Sequence, residues 1–383
     1  MRKVRILYLA NLDWHGLSNR TQHLARYLAR RNQVVWAYCR YVRDWLRLPL
    51  AARWRALWRP ATQRDGVTCF EPTYWRPRRI PFFGARVQSW FARQLARCMQ
   101  RQEFVPEVLW VTHPTHLRLT DGYPDALLCY DCMDSYPDFF SGARRAALVR
   151  DEAELIRRAD LVLATSQGLA ERAAAGARRV VLVPNGVEAE HFCQVMEREL
   201  PCPADLAAIP EPRVGYYGML SWWLDWDLLA RLAELRPAWS FVLIGTVRGR
   251  RPTLPANVCL LGRRPYAALP SYLQHIPVWL YPFAPHEMVQ QVDPVKLYEY
   301  IAAGRRVVAK RTRETAKFGD LIALAEGAEG FAVAIEAALA APLSAEEQAC
   351  ARAFAAEHSW ERRGAQIEAL LEECLAARDQ RGS

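Results

Sequence analysis

The chain has 383 residues, of which 51% are hydrophobic and 24% are charged, and its net charge is +10. This length suits two domains, and this composition excludes a disordered chain. No run of about 18 apolar residues occurs, so no transmembrane helix is predicted. The apolar run 6–10 is too short for a signal peptide, and the ten cysteines are scattered as in a reducing compartment. We therefore predict a cytoplasmic protein.

In the first half of the chain, apolar runs predict strands and amphipathic runs predict helices. The predicted strands cover residues 4–10, 34–38, 108–111, 126–130, 161–164 and 180–183. The predicted helices cover residues 19–30, 42–58, 85–100, 144–158 and 167–175. This alternation predicts an open, doubly wound parallel sheet, in which ligands bind beyond the carboxyl ends of the strands.

Most of the positive charge lies in residues 40–101, which contain 14 arginines against Asp44, Asp65 and Glu71. Tryptophans are interleaved with these arginines. The combination is typical of a membrane interface, because arginine meets anionic headgroups while the indole sits at the water boundary. A solvated basic face and a nucleic-acid surface are the alternatives. We favour the membrane surface and expect no nucleic-acid partner.

The second half repeats the alternation after a proline-rich segment, residues 197–212, which we interpret as a linker. Its predicted strands cover residues 214–217, 241–244, 258–261, 278–282 and 306–309. Its predicted helices cover residues 227–235, 268–275, 295–303, 328–341 and 344–378. The sequence thus predicts one domain at 1–196, a second at 213–358, and a C-terminal helix at 359–383 that returns to the first domain.

The strongest local pattern begins at Asp293 and predicts a phosphate site at a helix N-terminus. With Asp293 as N-cap and Pro294 as first helical residue, the amides of Val295 and Lys296 have no intrahelical partners and attract phosphate. Lys296 adds a positive charge there. Glu299, one turn further, could accept both hydroxyls of a ribose. The alternative is an ordinary capped helix with a weak surface ion pair.

In the first domain, the candidate general base is Asp131, which stands first beyond the strand 126–130. Asp134 is the alternative base, or else the cap of a short helix. His113 ends the preceding strand and could line the acceptor side of the cleft. Gly16 is the only glycine of the loop 11–19, so the loop lacks the dinucleotide-binding pattern GxGxxG. We assign Gly16 to the acceptor side as well.

Two patterns suggest a metal, and neither is sufficient. Asp225 and Asp227 have the spacing of a metal site but open a helix, where acidic residues act as caps. Cys129 and Cys132 form a single CxxC without a second pair. We therefore expect no bound metal.

The second half also resembles a known family. Residues 294–304, 214–218 and 257–263 are similar to the nucleotide-sugar segments of GT-B glycosyltransferases of the family 4 broad group. Residues 181–192 resemble the end of their first domain. Tyr130-Asp131-x-x-Asp134 is similar to a motif of the polysaccharide-assembly members, of teichuronic-acid or xanthan type. The resemblance covers nearly the whole chain except residues 40–101.

The resemblance implies a fold and a set of roles. The fold is GT-B: two Rossmann-like, doubly wound domains facing a cleft, with C-terminal helices. On the donor side Glu299 binds the ribose, while Lys296 and the helix amides bind the diphosphate. Gly218 lies in the donor pocket, and the loop of Arg263 and Arg264 holds the base.

Two positions depart from the family pattern. The first glutamate of the family's paired-glutamate motif falls at Gln291. The usual basic pair after the first strand of the second domain is replaced by residues 219–223, which read MLSWW. Both departures suggest a divergent branch in which Lys296 carries more of the phosphate charge.

From these observations we predict a metal-independent glycosyltransferase, in which Asp131 and Lys296 are catalytic. It would move a sugar from a nucleotide diphosphate sugar to a membrane-associated or lipid-linked acceptor in polysaccharide assembly. The donor is a substrate, and no further cofactor is expected. The predicted location is the cytoplasmic side, peripheral on the inner face of the cell membrane. The alternatives are a UDP-sugar epimerase of GT-B fold and a non-catalytic membrane scaffold derived from a transferase.

Overall fold

The structure is a computed structural model that describes residues 3–14, 19–41, 45, 46, 50, 53, 61–74, 85–249 and 252–382. The chain divides into two compact units. The first unit is Met1–Pro184 with Arg363–Ser383, and the second is Asn185–Arg362. Residues 185–196, which the sequence places in the first domain, therefore belong to the second unit. The reason is that helix Ala189–Glu197 packs against other helices of that unit.

The first unit is built on a sheet with strand order β10-β9-β8-β7-β1-β2-β5-β4, in which only β4 is antiparallel. Its strands are β1 (Arg5–Leu9), β2 (Gln33–Ala37), β4 (Ala61–Arg64), β5 (Val67–Phe70), β7 (Val108–Val111), β8 (Leu127–Cys132), β9 (Leu161–Ala164) and β10 (Val180–Leu182). Two further short strands, β3 (Arg40–Tyr41) and β6 (Thr73–Tyr74), pair with each other.

The helices of the first unit connect these strands. They are α1 (Arg20–Ala29), α2 (Ala85–Arg101), α3 (Gly142–Arg158) and α4 (Gln167–Ala174), with 3-10 turns at Pro114–Gly122 and Tyr136–Phe139. The predicted helix 42–58 lies almost wholly outside the described residues.

Both faces of the first sheet are buried, as a parallel sheet requires. On one face Leu7, Leu9 and Leu109 join an apolar core with the inward side of α2. On the other face Tyr8 lies between Trp36 and Trp110, with ring centroids 5.1 and 5.2 Å away. The three residues stand opposite one another in the register of β2, β1 and β7. Alternation along β1 therefore sends Leu7 and Leu9 to one layer and Tyr8 to the other.

The second unit has a parallel sheet with strand order β13-β12-β11-β14-β15-β16. Its strands are β11 (Arg213–Tyr217), β12 (Ser240–Ile244), β13 (Val258–Gly262), β14 (Val278–Tyr281), β15 (Arg306–Lys310) and β16 (Ala323–Ala325). The order reverses beside β11, which places the carboxyl ends of β11, β12 and β14 together at one edge.

The helices of the second unit include several that the sequence analysis missed. They are α5 (Ala189–Glu197), α6 (Ala204–Ala207), α7 (Trp226–Leu235), α8 (Leu269–Gln274), α9 (Glu287–Gln291), α10 (Val295–Ala302), α11 (Arg313–Ala316), α12 (Gly327–Ala340) and α13 (Ala345–Glu357). The last helix, α14 (Trp360–Gly382), begins in the second unit and continues into the first.

Among the described helices, none is by itself long and apolar enough to cross a membrane. The pair α12 and α13 passes that test of length and composition only when taken together, and it is bent by 111°.

Candidate active site

Helix α10 begins at the carboxyl edge of the second sheet, and its first turn differs by one residue from the prediction. Pro294, not Asp293, is the N-cap residue, and Val295 is the first helical residue. The carbonyl of Pro294 accepts from the amide of Leu297 at 2.9 Å. Val295 and Lys296 thus occupy the first two helical positions, whose amides have no intrahelical acceptor. The helix still offers an anion site at its N-terminus.

Asp293 binds several donors instead of capping the helix. Its buried carboxylate accepts from the amide of Asn185 at 2.5 Å and from the hydroxyl of Tyr298 at 3.1 Å. The ammonium group of Lys317 lies 2.5 Å from the same carboxylate. A buried carboxylate needs such partners. Asp293 thereby fixes the start of α10 to the segment at Asn185.

Lys296 and Gly218, both predicted for the donor pocket, lie against each other. Gly218 has φ +143, and a Cβ there would overlap Cε of Lys296 and lie 3.0 Å from its Nζ. The ammonium group also lies 5.9 Å from the ring centroid of Tyr216 and 6.0 Å from that of Phe283. Glycine is therefore required beside Lys296 for two reasons: its backbone conformation and the space that the lysine occupies.

Glu299 lies one turn further along α10, and its carboxylate accepts from the hydroxyl of Tyr217 at 2.5 Å. Burial raises the pKa of Glu299 to about 7, against the lowering effects of the Tyr217 hydrogen bond and of Lys296. The charge of Glu188 contributes to this rise. The structure thus brings Gly218, Val295, Lys296 and Glu299 to one edge of the second unit.

The loop after β13 is organised differently from the prediction. The guanidinium of Arg264 is paired with Asp205, with Nε 2.9 Å from Oδ2, and also bonds the hydroxyl of Tyr272. Its charge is thereby compensated by Asp205, a partner that the prediction did not include. Arg263 is exposed.

Sequence reasoning missed one feature of this loop. The ring of Tyr266 is stacked on that of His191, with centroids 4.6 Å apart, and its carbonyl lies 3.2 Å from Nε2 of His191. The two residues are 75 positions apart, so no local pattern announced the contact.

Asp131 occupies a different environment from the predicted one. Strand β8 continues through Asp131 to Cys132, so Asp131 does not stand beyond the strand, and it is fully buried. Nε of Arg20 lies 3.0 and 3.2 Å from its two carboxylate oxygens. Burial raises the pKa of Asp131, while Arg20 lowers it. The predicted placement of Asp131 beyond the end of the strand is therefore wrong.

Arg20 connects Asp131 to the end of the first unit. Its Nη1 donates to the carbonyls of Val183 and Pro184 at 3.0 and 3.1 Å. Asp131 thus neutralises and orients the arginine that holds this segment.

The carboxyl edge of the first sheet carries other polar groups. The ring of His113 lies 4.2 Å from that of Tyr136, whose hydroxyl accepts from Asn11 at 3.1 Å. Nδ1 of His113 accepts from the amide of Thr115, so the proton of the neutral ring sits on Nε2. Burial lowers the pKa of His113 to about 3. His113 is therefore a neutral hydrogen-bond donor at physiological pH.

Asp134, the alternative to Asp131, does lie beyond the end of β8 and is only half-buried. Its charge helps to raise the pKa of Tyr136. Gly16, predicted for the same side, lies outside the described residues.

The two metal-like patterns belong to the framework of the fold. Asp225 caps α7 by accepting from the amide of Leu228 at 3.0 Å, and its second oxygen lies 3.2 Å from Nζ of Lys310. The capping interpretation is thus confirmed. Cys129 and Cys132 are buried free thiols. Within the described ranges, no group of three or more His, Cys, Asp or Glu residues could hold a metal ion.

A cavity of about 660 Å³ in the first unit lies away from these groups. It sits at the amino edge of the sheet, and five arginines are among its lining residues: Arg157, Arg158, Arg178, Arg179 and Arg378. Each of the five has a carboxylate within salt-bridge distance. We assign it no part in the candidate site.

Comparison with known proteins identifies the same two halves. The Glycosyltransferase Family 4 model matches residues 14–191, and the glycosyl transferase-like model matches residues 225–369. TuaH of Bacillus subtilis, named as a candidate teichuronic acid biosynthesis glycosyltransferase, is 28% identical over 226 residues. The match covers 55% of this chain and 56% of that protein, so the chain spans about half the length of this curated relative.

Solved structures share the fold at low identity. Sucrose-phosphate synthase from Thermosynechococcus elongatus superposes with a TM-score of 0.72 at 16% identity, covering 98% of this chain and 100% of that one. HepE of Anabaena, solved with UDP and glucose, gives 0.68 at 18% identity, covering 97% and 100%. Its UDP-glucose complex gives 0.67 at 16%, covering 96% and 99%.

Two Rossmann-like units with parallel sheets, matched along nearly their whole length by these structures, define the GT-B class, and the predicted fold is confirmed. The first half of the chain thus carries a match to a family 4 glycosyltransferase domain and its second half a match to a glycosyl transferase-like domain, on a GT-B fold.

Proposed function

We propose that this protein transfers a sugar from a nucleoside diphosphate sugar to an acceptor at an anionic membrane surface, in the assembly of a polysaccharide. The observation that supports the part of the proposal about the donor is the arrangement of side chains on α10. Lys296 lies over the backbone of Gly218, and Glu299 lies one turn along the same helix, bonded to Tyr217.

Each part of the donor has a matching group in this arrangement. The diphosphate would meet the amides of the first turn, which have no acceptor within the helix, and the ammonium group of Lys296. The ribose hydroxyls would donate to the carboxylate of Glu299. Charge develops on the leaving diphosphate during transfer, so Lys296 and the helix end stabilise the transition state more than the ground state. The UDP and UDP-glucose complexes of HepE support a uridine nucleotide as the first donor to test.

For the acceptor we assign the polar role to Asp134 in place of Asp131. Asp134 is half-buried beyond β8, whereas Asp131 is buried and paired with Arg20. A carboxylate at this edge accepts a hydrogen bond from the acceptor hydroxyl, and Nε2 of His113 can donate one. The name of TuaH, together with the Tyr130-to-Asp134 motif, supports a polysaccharide precursor as acceptor.

The part of the proposal about the membrane surface rests on helix α2. One side of this helix is buried through Val87, Phe91, Leu95 and Met99. The opposite side exposes four arginines at spacings of seven, four and four residues, namely Arg86, Arg93, Arg97 and Arg101. No carboxylate of the described residues forms an ion pair with any of them. A stripe of this kind attracts anionic headgroups and would hold the enzyme at the inner face of the cell membrane.

The contact between Lys296 and Gly218 supplies the test of the donor half. Gly218→Ala should displace the lysine and lower turnover as strongly as Lys296→Ala does. Gly249→Ala is the matched control, because Gly249 also has a positive φ, +89, but a Cβ there meets nothing within 4 Å. The assay is sugar transfer from a panel of nucleotide sugars, after a thermal-shift screen. A donor at 100 times its dissociation constant stabilises by about 2.7 kcal/mol.

The outcomes separate the proposed function from its alternatives. Interconversion of UDP-sugars without transfer would identify an epimerase. Binding of no nucleotide by a folded protein would favour the scaffold. Equal turnover of the Gly218 and Gly249 variants would remove Lys296 from the site.

A further inference from the structure

The loop that follows β11 departs from the family resemblance and has no role in the proposal above. Where the resemblance expects a basic pair, residues 219–223 place Trp222 and Trp223. The loop begins directly after Gly218, the residue against which Lys296 packs. An aromatic pair has therefore replaced a basic pair beside the diphosphate site.

The loop is held rigidly at the carboxyl edge of the second sheet. The amide of Leu220 donates to the carbonyl of Thr246 at 3.0 Å, beyond β12. The carbonyl of Trp223 accepts from the amide of Ala284 at 2.8 Å, beyond β14. Leu220 and Leu224 are buried on either side of the tryptophans. The loop is thus hydrogen-bonded beyond the ends of both strands that flank β11, and it presents its side chains in a fixed position.

Trp222 is exposed in a protein that buries its large aromatic side chains. It is 45% exposed, and among the described residues it is the only aromatic one in the set of exposed large hydrophobic side chains. Trp36, Trp110 and Trp279 are fully buried. An exposed indole loses the free energy of burial, and at the edge of a binding site that loss is recovered when a ligand covers it.

The surroundings of Trp222 fix its orientation and connect it to the donor helix. The ring of Trp223 lies 5.6 Å away and that of His286 4.7 Å away, both nearly perpendicular to it. Leu224, at the end of the loop, forms a β-bridge with Phe283. The ring of Phe283 is the one that lies 6.0 Å from Nζ of Lys296. The aromatic loop and the lysine thus share a neighbour within one unit.

We propose that Trp222, braced by Trp223 and His286, is the platform on which the sugar ring of the donor stacks, and that it determines which sugar is accepted. This inference rests on the proposed function. The sugar is joined to the phosphate that Lys296 binds, so it lies at the same edge. A pyranose ring presents a face of C–H groups, and their partial positive charge suits the negative face of an indole. Apolar lining with a few polar groups is the usual composition of such a pocket.

The test compares a nucleotide sugar with the nucleotide alone. Titration calorimetry would measure UDP and four donors, UDP-glucose, UDP-galactose, UDP-N-acetylglucosamine and UDP-glucuronate, on the full chain. The donor that binds best is then titrated against Trp222→Ala and Trp222→Phe. We expect Trp222→Ala to weaken the UDP-sugar about tenfold, the upper range for one aromatic contact, and to leave UDP unchanged. Trp222→Phe should restore most of the loss.

Val333→Ala is the control, since Val333 is 65% exposed in the same unit. It should bind both ligands as the wild type does. Equal weakening of UDP and UDP-sugar by Trp222→Ala would overturn the stacking role, and so would no change in either. If the wild type binds none of the five ligands, the proposed donor site itself fails.

A second measurement does not depend on a folded variant. The exposed indole of Trp222 should supply an acrylamide-quenchable component of the wild-type fluorescence. The UDP-sugar should shield that component and UDP should not. Equal quenching with both ligands would contradict the proposal.

Discussion

The carboxyl group of Glu299 is under opposing influences. Burial and Glu188 favour its protonated form, whereas Tyr217 and Lys296 favour the carboxylate, and the balance sets the pKa at about 7. Two ribose hydroxyls would add further donors to the charged form only. Donor binding and loss of this proton should therefore be linked.

That linkage gives a pH-dependent affinity. UDP-glucose should bind more weakly as the pH falls from 8 to 6, because the protein must first lose the Glu299 proton. The ligand is a diphosphate diester, so its own charge is constant over this range. Titration calorimetry of the wild type and Glu299→Gln between pH 6 and pH 8 measures this dependence. The variant should bind UDP-glucose weakly at every pH, with an affinity that does not change with pH. A slope that survives in Glu299→Gln would assign the effect to another group.

Stability depends on pH in the opposite direction from donor affinity. The folded-state pKa of about 7 lies above the ordinary value of 4.5, so the empty folded protein holds a proton that the unfolded chain has lost. The contribution of Glu299 to stability is therefore most favourable below about pH 4.5 and decreases up to about pH 7. Glu299→Gln should remove this component from the thermal denaturation profile.

Substitutions of Asp131 and Asp134 should have different effects. Asp131→Asn leaves the buried charge of Arg20 without its partner, which should cost about 3–5 kcal/mol of stability. Asp134→Asn should leave stability nearly unchanged but lower transfer about tenfold or more, through loss of a hydrogen bond to a charged group. Urea denaturation and turnover per folded molecule separate the two. A stable Asp131 variant with greatly reduced turnover would restore Asp131 as the catalytic group.

At the scale of elements, most strands and helices could be located from the sequence. Where a contact with a distant residue determines an element's boundary, the predicted boundary was wrong. The sequence predicts that strand β8 ends at residue 130, because a carboxylate follows. It runs two residues further, since Arg20, 111 residues away, compensates Asp131. Similarly, the predicted helix 344–378 is two helices, interrupted where Ser359 bridges Val187. No local periodicity contains either contact.

One missed element had a local signal. The hairpin of β4 and β5 turns at Asp65 and Gly66, both with positive φ. Asp-Gly between two alternating runs is a strong hairpin signal. The hairpin lies inside the basic segment 40–101. The arginine-rich composition of that segment was interpreted as a surface, so the hairpin signal was not used.

Helix α7 provides a prediction at this scale. Asp225 caps its first turn and pairs with Lys310, so Asp225→Ala should destabilise the protein by about 1 kcal/mol and leave turnover per folded molecule unchanged. Treatment with a chelator should likewise leave activity unchanged. Activity that disappears on chelation and returns with magnesium or manganese would make Asp225 and Asp227 metal ligands. Asp227→Asn is the comparison, since its side chain is not the cap.

At the scale of the whole molecule, the predictable part of the candidate site is the part that one helix carries. Val295, Lys296 and Glu299 follow from helix geometry and the properties of a helix N-terminus. The contacts around them depend on distant residues: Tyr217 and Glu299 are 82 positions apart, and in the neighbouring loop Asp205 and Arg264 are 59 positions apart. Sequence reasoning therefore located helix α10, but it could not show that Asp205 compensates the charge of Arg264.

Net charge is also a property of the whole molecule, and its uneven distribution gives the last prediction. The proposed membrane contact is the arginine stripe of α2, which is reversed by the triple variant Arg93→Glu, Arg97→Glu and Arg101→Glu. Each basic residue near an anionic surface contributes about 1 kcal/mol, so the variant should lose binding to anionic liposomes by at least about a hundredfold. Wild-type binding should weaken with salt and be small for neutral liposomes.

The matched control reverses as many charges in the second unit, at the exposed helical residues Arg231, Arg352 and Arg362. Co-sedimentation of the control with anionic liposomes should stay close to that of the wild type. An equal loss in both triple variants would mean that total charge, and not the α2 stripe, governs binding. Equal wild-type affinity for duplex DNA and anionic liposomes would place the nucleic-acid interpretation ahead of the membrane one, because duplex phosphates attract the same arginines.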